Sequence, residues 1–402
     1  MDSFIRTSAN FISQNSEHVR INDTKVKDFC QNMISNSNLP KVDFNHSLHP
    51  NCTTDTDFID WIFIIDSLNF CFWKSPDQPQ WTVTYEGITY SGYFALCAAL
   101  KKAKTIDRVN ICDPHVTSKL SLDDFKHILR GDNNILPNLI EERYKFLQEN
   151  SNILLSKYEG SFENVVRKAN QSATRLLELI IEDFPSFRDE AMFLGRKVAF
   201  YKRAQILVAD LHFCATTSIS PVSDTQRGGT PCIFNDIDAL TMFADYRVPQ
   251  VLKYFGILEY SDTLTNALNQ TTFKDPDSRF EVELRGNSIE AVERIVNTMN
   301  QLIDEEKTKP NRELQSKTKC NNSSIDCPES KTKNTSCDRK ESSSSSINTS
   351  STEINTSSSE IKSSTEDRIN AITVDVFLWN YRRDHVEQID REPYHRVVSV
   401  CY

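Results

Sequence analysis

The sequence predicts a mainly α-helical protein with a small β element, and three observations predict it. Apolar residues recur at helical spacing in several long segments. Segments that alternate apolar and polar residues, as half-buried strands do, are few and short. A polar, Ser-rich segment interrupts the helical pattern near the C-terminus. We therefore expect a single helical domain built from residues 1–307 and 367–402, with an insertion at 308–366.

Four segments carry the helical prediction. In SLDDFKHILRG, Ser121 is placed to cap the N-terminus of a helix and Gly131 to end it. SFENVVRKANQSATRLLELIIEDF and NSIEAVERIVNTMNQLI repeat apolar residues every three or four positions. The stretch from Asp189 to Phe213 has no Pro and a single Gly, so it is also expected to be helical.

The strand signals are concentrated in one place. WTVTYEGITYSGY alternates on both sides of Glu86-Gly87, which predicts a β-hairpin with a two-residue turn. FEVELRG at 280–286 and YHRVVSVCY at 394–402 are further strand candidates.

The Ser-rich segment has the composition of a disordered insertion. It runs KCNNSSIDCPESKTKNTSCDRKESSSSSINTSSTEINTSSSEIKSST from Lys319 to Thr365, with few large apolar residues. Such a segment cannot offset its ordering entropy by burial. Helical patterning resumes after it in RINAITVDVFLWNY, so the insertion is expected to interrupt a fold and not to end one.

Charge and cysteine content exclude several classes of protein. The net charge of -10 argues against a broad basic surface for direct binding of nucleic acid. The longest apolar run, WIFII at 61–65, is too short to cross a membrane. Eleven scattered cysteines and no apolar leader indicate reduced thiols and a cytoplasmic or nuclear protein. Cys112 and His115 have a spacing that zinc uses, but no matching second pair follows, so we expect no metal site.

Asp245 is the first candidate for chemistry, because TMFADYRVPQ places this acid among apolar residues. Three interpretations remain open from the residues alone. The carboxylate forms an ion pair with Arg247, caps the helix that Pro249 opens, or stabilises positive charge on a reacting sugar.

Three further segments each have a structural and a functional interpretation. In FYKRAQILVAD, Lys202 and Arg203 form either a solvated basic face or a phosphate contact. In VDVFLWNYRRDH, Asp375 and Trp379 are four residues apart, hence on one helical face, where Asp375 either caps the helix or binds a ligand donor. DSLNFCFW at 66–73 predicts a buried helix, or an aromatic wall for a flat ligand.

These segments together resemble a known family. WIFIIDSLNFCFW, YSGYFALCAAL, FPSFRDEAMF, FYKRAQILVAD, TMFADYRVPQVL, VDVFLWNY and YHRVVSVCY occur in one order and are similar to the queuosine salvage protein family. The resemblance covers nearly all of the chain outside the Ser-rich segment. It implies a helical fold like that of DNA glycosylases and hydrolysis of queuosine 5'-phosphate by water, which releases queuine for transfer RNA. It implies no metal or redox cofactor.

The resemblance also assigns residues. The family's Phe-Ala-Asp motif falls on 243–245, so Asp245 is expected to act at the anomeric carbon and Phe243 to pack against the base. The family's histidine matches His46, with His49 as competitor. Near the C-terminus, the resemblance implies substrate contacts at Asp375, Val376, Trp379 and Asn380. Val376 and Asn380 depart from the family pattern. For the phosphate, Lys202 and Arg203 are the candidates.

Two other functions remain alternatives at this point. A DNA-repair glycosylase would need a basic groove, which the acidic balance opposes. A non-catalytic queuine-binding protein is suggested by Asn380, which stands where the family has a second acid.

Overall fold

The fold was obtained as a computed structural model that describes residues 2–36, 48–49, 55–74, 78–216, 231–270, 277–308 and 368–402. Fifteen α-helices lie within these ranges. They are α1 Asp2–Gln14, α2 Asp23–Ser35, α3 Asp55–Ser67, α4 Gly92–Thr105, α5 Pro114–Thr117, α6 Leu122–Ile128, α7 Ile140–Lys157, α8 Glu163–Lys168, α9 Ala173–Asp183, α10 Lys202–Thr216, α11 Val248–Tyr254, α12 Asp262–Asn269, α13 Arg279–Thr308, α14 Ala371–Asp384 and α15 Val386–Ile389.

Six short strands accompany these helices in the described ranges. They are β1 Val19–Ile21, β2 Thr82–Tyr85, β3 Ile88–Ser91, β4 Glu190–Phe193, β5 Arg196–Ala199 and β6 Leu258–Tyr260. The strands pair antiparallel as β1 with β6, β2 with β3 and β4 with β5, so each sheet has two strands. The fold is mainly α-helical, as the sequence predicted.

The chain divides into two compact units. One unit contains residues 1–302 and 369–402, and the other contains 303–368, of which the structure describes 303–308 and 368. The predicted insertion at 308–366 lies outside the described residues, apart from Thr308 at the end of α13. None of the described helices is both long enough and apolar enough to cross a membrane.

Helices α3, α9 and α10 form the centre of the larger unit, with α10 packed against both of the others. Trp61 and Phe63 of α3 are buried, and the Phe63 ring stacks on Phe162 with centroids 4.2 Å apart. Burial of such large apolar side chains is the main favourable term in folding. The start of α10 and the end of α3 therefore have fixed positions, and both contribute to the cavity described below.

Two local predictions are confirmed. The β2–β3 hairpin turns at Glu86-Gly87, and both residues have positive φ, 50° and 79°, which fits the twist of a two-residue hairpin turn. Helix α6 begins with the expected cap, in which Ser121 and Asp124 exchange hydrogen bonds between side chain and backbone.

Three local predictions are wrong. The stretch from Asp189 to Phe213 is not one helix, because its first part forms the β4–β5 hairpin, with Leu194 and Gly195 at positive φ, and α10 begins only at Lys202. The strand candidate at 280–286 lies inside α13, where a short alternation of apolar and polar residues resembles a strand period. The candidate at 394–402 is irregular apart from an isolated bridge at Val397.

The long helix predicted over 161–184 is divided into α8 and α9. Asn170 and Gln171 have positive φ between the two helices, and the Ser172 side chain then caps α9 by accepting from the Arg175 amide. Left-handed residues end a helix because they cannot continue its hydrogen-bond ladder.

One buried ion pair connects the elements that carry the cavity. Arg285 of α13 donates to both carboxylate oxygens of Asp189, at 2.8 and 2.6 Å, and both side chains are buried. The same Asp189 carboxylate accepts from the backbone amide of Lys202 at 3.0 Å, which fixes the start of α10. Arg285 also donates from Nε to the carbonyl of Ala244 at 3.0 Å. This ion pair thus fixes the position of Lys202 relative to Ala244, the residue before Asp245.

We predict that Arg285→Met will lower the free energy of unfolding by roughly 3–5 kcal/mol, because it leaves the buried Asp189 carboxylate without its cation. Urea denaturation of the variant and of the parent protein measures the difference. The control is Arg20→Met, since Arg20 forms an exposed pair with Glu259 and its loss should cost far less. Equal effects of the two substitutions would contradict the role given to Arg285.

Candidate active site

A cavity of about 760 Å³ opens between the end of α3, the start of α4, the start of α10, the segment before α11, and α14. This volume lies in the range of small-molecule sites. Its walls are largely aromatic and its charged groups are mainly cationic. The aromatic residues include Phe70, Phe72, Tyr93, Phe94, Trp379 and Tyr394. The cations are Lys74, Lys202, Arg247, Arg382, Arg383 and Arg396, and the acids are Asp245 and Asp390.

Asp245 is held by backbone amides at the start of α11. Its Oδ1 accepts from the amides of Arg247 and Val248, each at 2.8 Å, so the carboxylate caps this helix. The side chain of Arg247 donates to Asp390 at 3.2 Å and to Gln250 at 3.0 Å. The capping interpretation is therefore observed. Since both amide bonds use Oδ1, the second oxygen can interact with a ligand in the cavity.

Lys202 and Asp375 complete a cluster of ionisable groups with Asp245. Burial lowers the pKa of Lys202, and the nearby Asp245 carboxylate opposes that shift. Burial raises the pKa of Asp375 well above its ordinary value, and the charge of Asp245 raises it further. The protonated, neutral form of Asp375 is thus favoured, and its Oδ1 accepts from the Phe243 amide at 3.0 Å. Asp245 is the carboxylate of this cluster that lines the cavity.

The mouth of the cavity combines guanidinium groups with aromatic rings. Arg383 lies 4.7 Å from the ring centroids of both Phe94 and Trp379, and Arg396 lies 4.3 Å from that of Tyr394. Such stacking orients a guanidinium and leaves its N–H groups at the ring edge. The Nε atom of Arg396 is buried without a hydrogen-bond partner among the described residues. An anion at the mouth of the cavity would supply an acceptor for these donors.

The structure brings together three of the residues singled out in the sequence, Asp245, Lys202 and Trp379, on the cavity wall. Phe243 and Asp375 lie behind that wall, with 7% and 6% of their surfaces exposed. Val376 and Asn380 on α14 are half-buried and do not contribute to the cavity lining.

The remaining expected residues are placed differently. Arg203 is buried and donates to the carbonyls of Ser67, at 3.0 Å, and Ser186, so the structure gives it a packing role and not a cavity contact. His46 lies outside the described residues. Its competitor His49 is buried and accepts from Trp61 Nε1 at 3.4 Å.

The arginines in the cavity lining were not predicted from the sequence, and one aromatic segment has a larger part in the cavity than its pattern indicated. Arg383 follows Trp379 by four residues, so helical spacing placed it on the same face, and that signal was available. Segment 66–73 was predicted to form a buried helix or an aromatic wall. In the structure α3 ends at Ser67, and Phe70 and Phe72 line the cavity. Among the described residues, no group of three or more His, Cys, Asp or Glu side chains is arranged to hold a metal ion.

Comparison with known proteins gives a consistent result. The family model described as "Queuosine salvage protein" matches residues 48–402. A protein of Bos taurus named queuosine 5'-phosphate N-glycosylase/hydrolase is 35% identical over 402 residues, 99% of this chain and 98% of the relative. Relatives with the same name from Mus musculus and Nematostella vectensis are 34% and 37% identical, over 99% and 72% of this chain and 98% and 81% of their own lengths.

We predict that Asp375→Asn will change how stability depends on pH. Because the native pKa of Asp375 is raised, the folded protein keeps a proton there that the unfolded chain loses above its ordinary pKa of 3.8. The contribution of this group to stability therefore falls as pH rises, by up to about 1.4 kcal/mol per pH unit. The variant keeps an acceptor for the Phe243 amide but lacks this proton.

Urea denaturation of both proteins between about pH 5 and pH 8 tests this prediction. The stability of the variant relative to the parent should increase with pH. A difference that stays constant over this range would show that Asp375 is ionised in the folded protein.

Proposed function

The chain belongs to the queuosine salvage protein family, and from this membership we propose that it hydrolyses the N-glycosidic bond of queuosine 5'-phosphate, releasing queuine. The observation that supports the proposal is the position of Asp245, a carboxylate anchored by two amides on the wall of a nucleotide-sized cavity. The relatives that match nearly the whole chain are named as glycosylase/hydrolases, which favours an enzyme over a non-catalytic queuine carrier.

In this reaction Asp245 acts on the anomeric carbon of the ribose. Cleavage of the bond between that carbon and the base nitrogen leaves the electron pair on the base and positive charge on the sugar. The free oxygen of Asp245 stabilises this oxocarbenium ion as an ion-pair partner or as a covalent trap. Water then adds to the anomeric carbon and loses a proton, the base nitrogen gains a proton, and the products are queuine and ribose 5-phosphate.

The anchoring of Asp245 suits this role. The two amide donors fix the carboxylate before the substrate arrives, so little reorganisation is needed when positive charge develops. Asp375 lies behind the cavity wall, and its neutral form adds no competing negative charge beside Asp245.

The aromatic walls suit the flat base. Trp379, Tyr93 and Phe94 offer ring surfaces in the cavity, and base–aromatic stacking contributes roughly 1–3 kcal/mol in other proteins. The family resemblance assigns Phe243 to packing against the base. This role requires the base to reach the inner wall of the cavity, beside Asp375.

For the 5'-phosphate we assign Lys202 and Arg396. Lys202 lies next to Asp245, so it is within reach of the sugar that Asp245 contacts. Arg396 has a buried Nε donor without a partner among the described residues, and guanidinium groups bind phosphate oxygens strongly. Arg203 is not assigned to the phosphate, because it is buried away from the cavity lining and its terminal nitrogens donate to the backbone carbonyls of Ser67 and Ser186.

We predict that Asp245→Asn will lower kcat for queuine release by roughly a hundred- to a thousandfold or more, because the amide brings no negative charge to the sugar. The amide oxygen can still accept from the Arg247 and Val248 amides, so the fold should persist. Release of queuine from queuosine 5'-phosphate, measured by chromatography, gives kcat.

The matched control for this substitution is Asp236→Asn. Asp236 also accepts from backbone amides at a helix start, those of Ala173 and Thr174, and it does not line the cavity. This variant should lose stability and keep kcat. Full activity of Asp245→Asn would contradict the proposed mechanism.

We predict that Arg396→Met will lower kcat/KM for queuosine 5'-phosphate by roughly ten- to a hundredfold, the equivalent of one charge-assisted hydrogen bond. Its effect on the unphosphorylated nucleoside should be small, because that substrate presents no phosphate. The control is Arg175→Met, which removes an exposed arginine paired with Glu178 on α9. Equal losses on the two substrates would show that Arg396 does not contact the phosphate.

A further inference from the structure

The segment that follows α3 places an amide side chain in the aromatic wall of the cavity. Asn69 lines the cavity together with Phe70 and Phe72, although only 9% of its surface is exposed. A buried amide is costly unless its polar atoms form hydrogen bonds, so an apolar residue would fill this position more easily. The reaction described above makes no use of this amide, and its partners show what it is placed to bind.

Two buried arginines hold the backbone on both sides of Asn69. Arg143 of α7 donates to the carbonyl oxygens of Leu68 and Phe70, and its guanidinium lies 4.2 Å from the Phe70 ring centroid. Arg203 donates from Nη1 to the carbonyl of the last α3 residue at 3.0 Å. The last carbonyls of a helix have no partner within it, so this donor also satisfies the end of α3. The backbone that carries Asn69 is therefore fixed before a ligand enters.

Asp66 fixes the orientation of the Asn69 side chain. Asn69 Nδ2 donates to Asp66 Oδ1 at 3.3 Å, and this is the only hydrogen bond that the Asn69 side chain forms within the described part of the chain. Asp66 Oδ1 accepts in either protonation state, because a proton on Oδ2 leaves one carbonyl oxygen in the group. The amide nitrogen therefore faces Asp66, which leaves the Oδ1 atom of Asn69 available to a donor in the cavity.

Asn69 lies close to the segment that carries Asp245. The residues after Asn69 form an apolar cluster of Phe70, Cys71 and Trp73. Tyr246, the residue after Asp245, packs against this cluster, and both Asn69 and Asp245 line the one cavity. In the proposed reaction the anomeric carbon of the ribose lies against Asp245. The 2'-hydroxyl is on the adjacent carbon, so it is the sugar hydroxyl nearest to the reacting bond.

We propose that Asn69 Oδ1 accepts a hydrogen bond from the ribose 2'-hydroxyl, and that Asp66 is the positioning residue that holds the amide for this contact. This inference rests on the proposed function, and it assigns a residue that selects ribose over 2-deoxyribose. As positive charge develops on the sugar, the 2'-hydroxyl becomes a stronger donor, so the hydrogen bond strengthens in the transition state. The contact therefore acts on kcat more than on KM.

The test compares queuosine 5'-phosphate with its 2'-deoxy analogue as substrates of the parent protein and of Asn69→Ala. On queuosine 5'-phosphate we expect the variant to lose roughly tenfold or more in kcat, with a smaller change in KM. On the 2'-deoxy analogue its kcat should stay within about threefold of the parent value, because that substrate lacks the hydroxyl. A disturbed fold would lower both rates alike. Equal fold-losses on the two substrates would overturn the proposal.

Two substitutions test the positioning role of Asp66, with the ratio of kcat on queuosine 5'-phosphate to kcat on the 2'-deoxy analogue as the readout. Asp66→Leu removes the acceptor for Asn69 Nδ2, so it should lower this ratio in the same direction as Asn69→Ala. Asp66→Asn keeps an oxygen that can accept from Nδ2, so it should retain the ratio of the parent protein. A parental ratio in Asp66→Leu would overturn the positioning role.

The control is Asn150→Ala, which removes another buried amide beside the end of α3. Asn150 donates to Ser67 Oγ at 3.0 Å and accepts from Ser186 Oγ at 2.8 Å, and it does not line the cavity. This variant should lose stability in urea denaturation and keep the substrate ratio of the parent protein. A ratio lowered as much as in Asn69→Ala would show that packing at the end of α3 sets it, and would overturn the proposal.

The parent protein separates this inference from the proposed function. If it releases no queuine from queuosine 5'-phosphate, the proposed function is wrong and the inference is wrong with it. If it releases queuine and Asn69→Ala affects both substrates equally, the inference alone is wrong.

Discussion

The bidentate ion pair between Arg285 and Asp189 is the contact on which the geometry of the cavity depends. Asp189 also accepts from the Lys202 amide, and Arg285 also donates to the Ala244 carbonyl, so one pair fixes the cation and the carboxylate of the site. Desolvation makes such a pair expensive, and good geometry with further hydrogen bonds is needed to offset it. The rings of Phe200 and Tyr402, 4.1 and 4.6 Å from the guanidinium, exclude water from it.

Burial then divides the acids around Lys202 into two kinds. Asp375, Asp66 and Asp210 lie away from solvent, and the pKa of each is raised by burial. Asp245 lines the cavity, where backbone amides at 2.8 Å stabilise its charge. Several carboxyl groups thus lie around one ammonium, and in the proposed reaction the charge of Asp245 stabilises the positive charge that develops on the sugar.

Much of the helical fold can be predicted from the sequence, because the helical spacing of apolar residues is visible without knowledge of the tertiary contacts. The β4–β5 hairpin could not be predicted in this way. Its turn depends on the left-handed backbone conformations of Leu194 and Gly195, and a sequence does not show backbone dihedral angles. Asp245 was recognised through family resemblance. The neighbouring residues alone were equally consistent with a helix cap, and Asp245 does cap α11 in the structure.

Helix rotation explains the different outcomes for Lys202 and Arg203. Adjacent residues on a helix point about 100° apart, so Lys202 reaches the cavity while Arg203 turns toward Ser67 and Ser186 in the core. The sequence shows that both residues are cations, but it does not show which of the two side chains points into the cavity. Arg396 was missed for a similar reason, because this residue of the C-terminal segment joins Arg383 of α14 in the cavity lining only in the folded chain.

The most direct test of the role given to Asp245 is a crystal structure of Asp245→Asn with queuosine 5'-phosphate. We expect intact substrate with its anomeric carbon about 3–3.5 Å from the side chain at position 245. The phosphate should lie against Lys202 and Arg396, and the base between the aromatic walls. An anomeric carbon far from position 245, with another carboxylate beside it, would contradict the proposed mechanism.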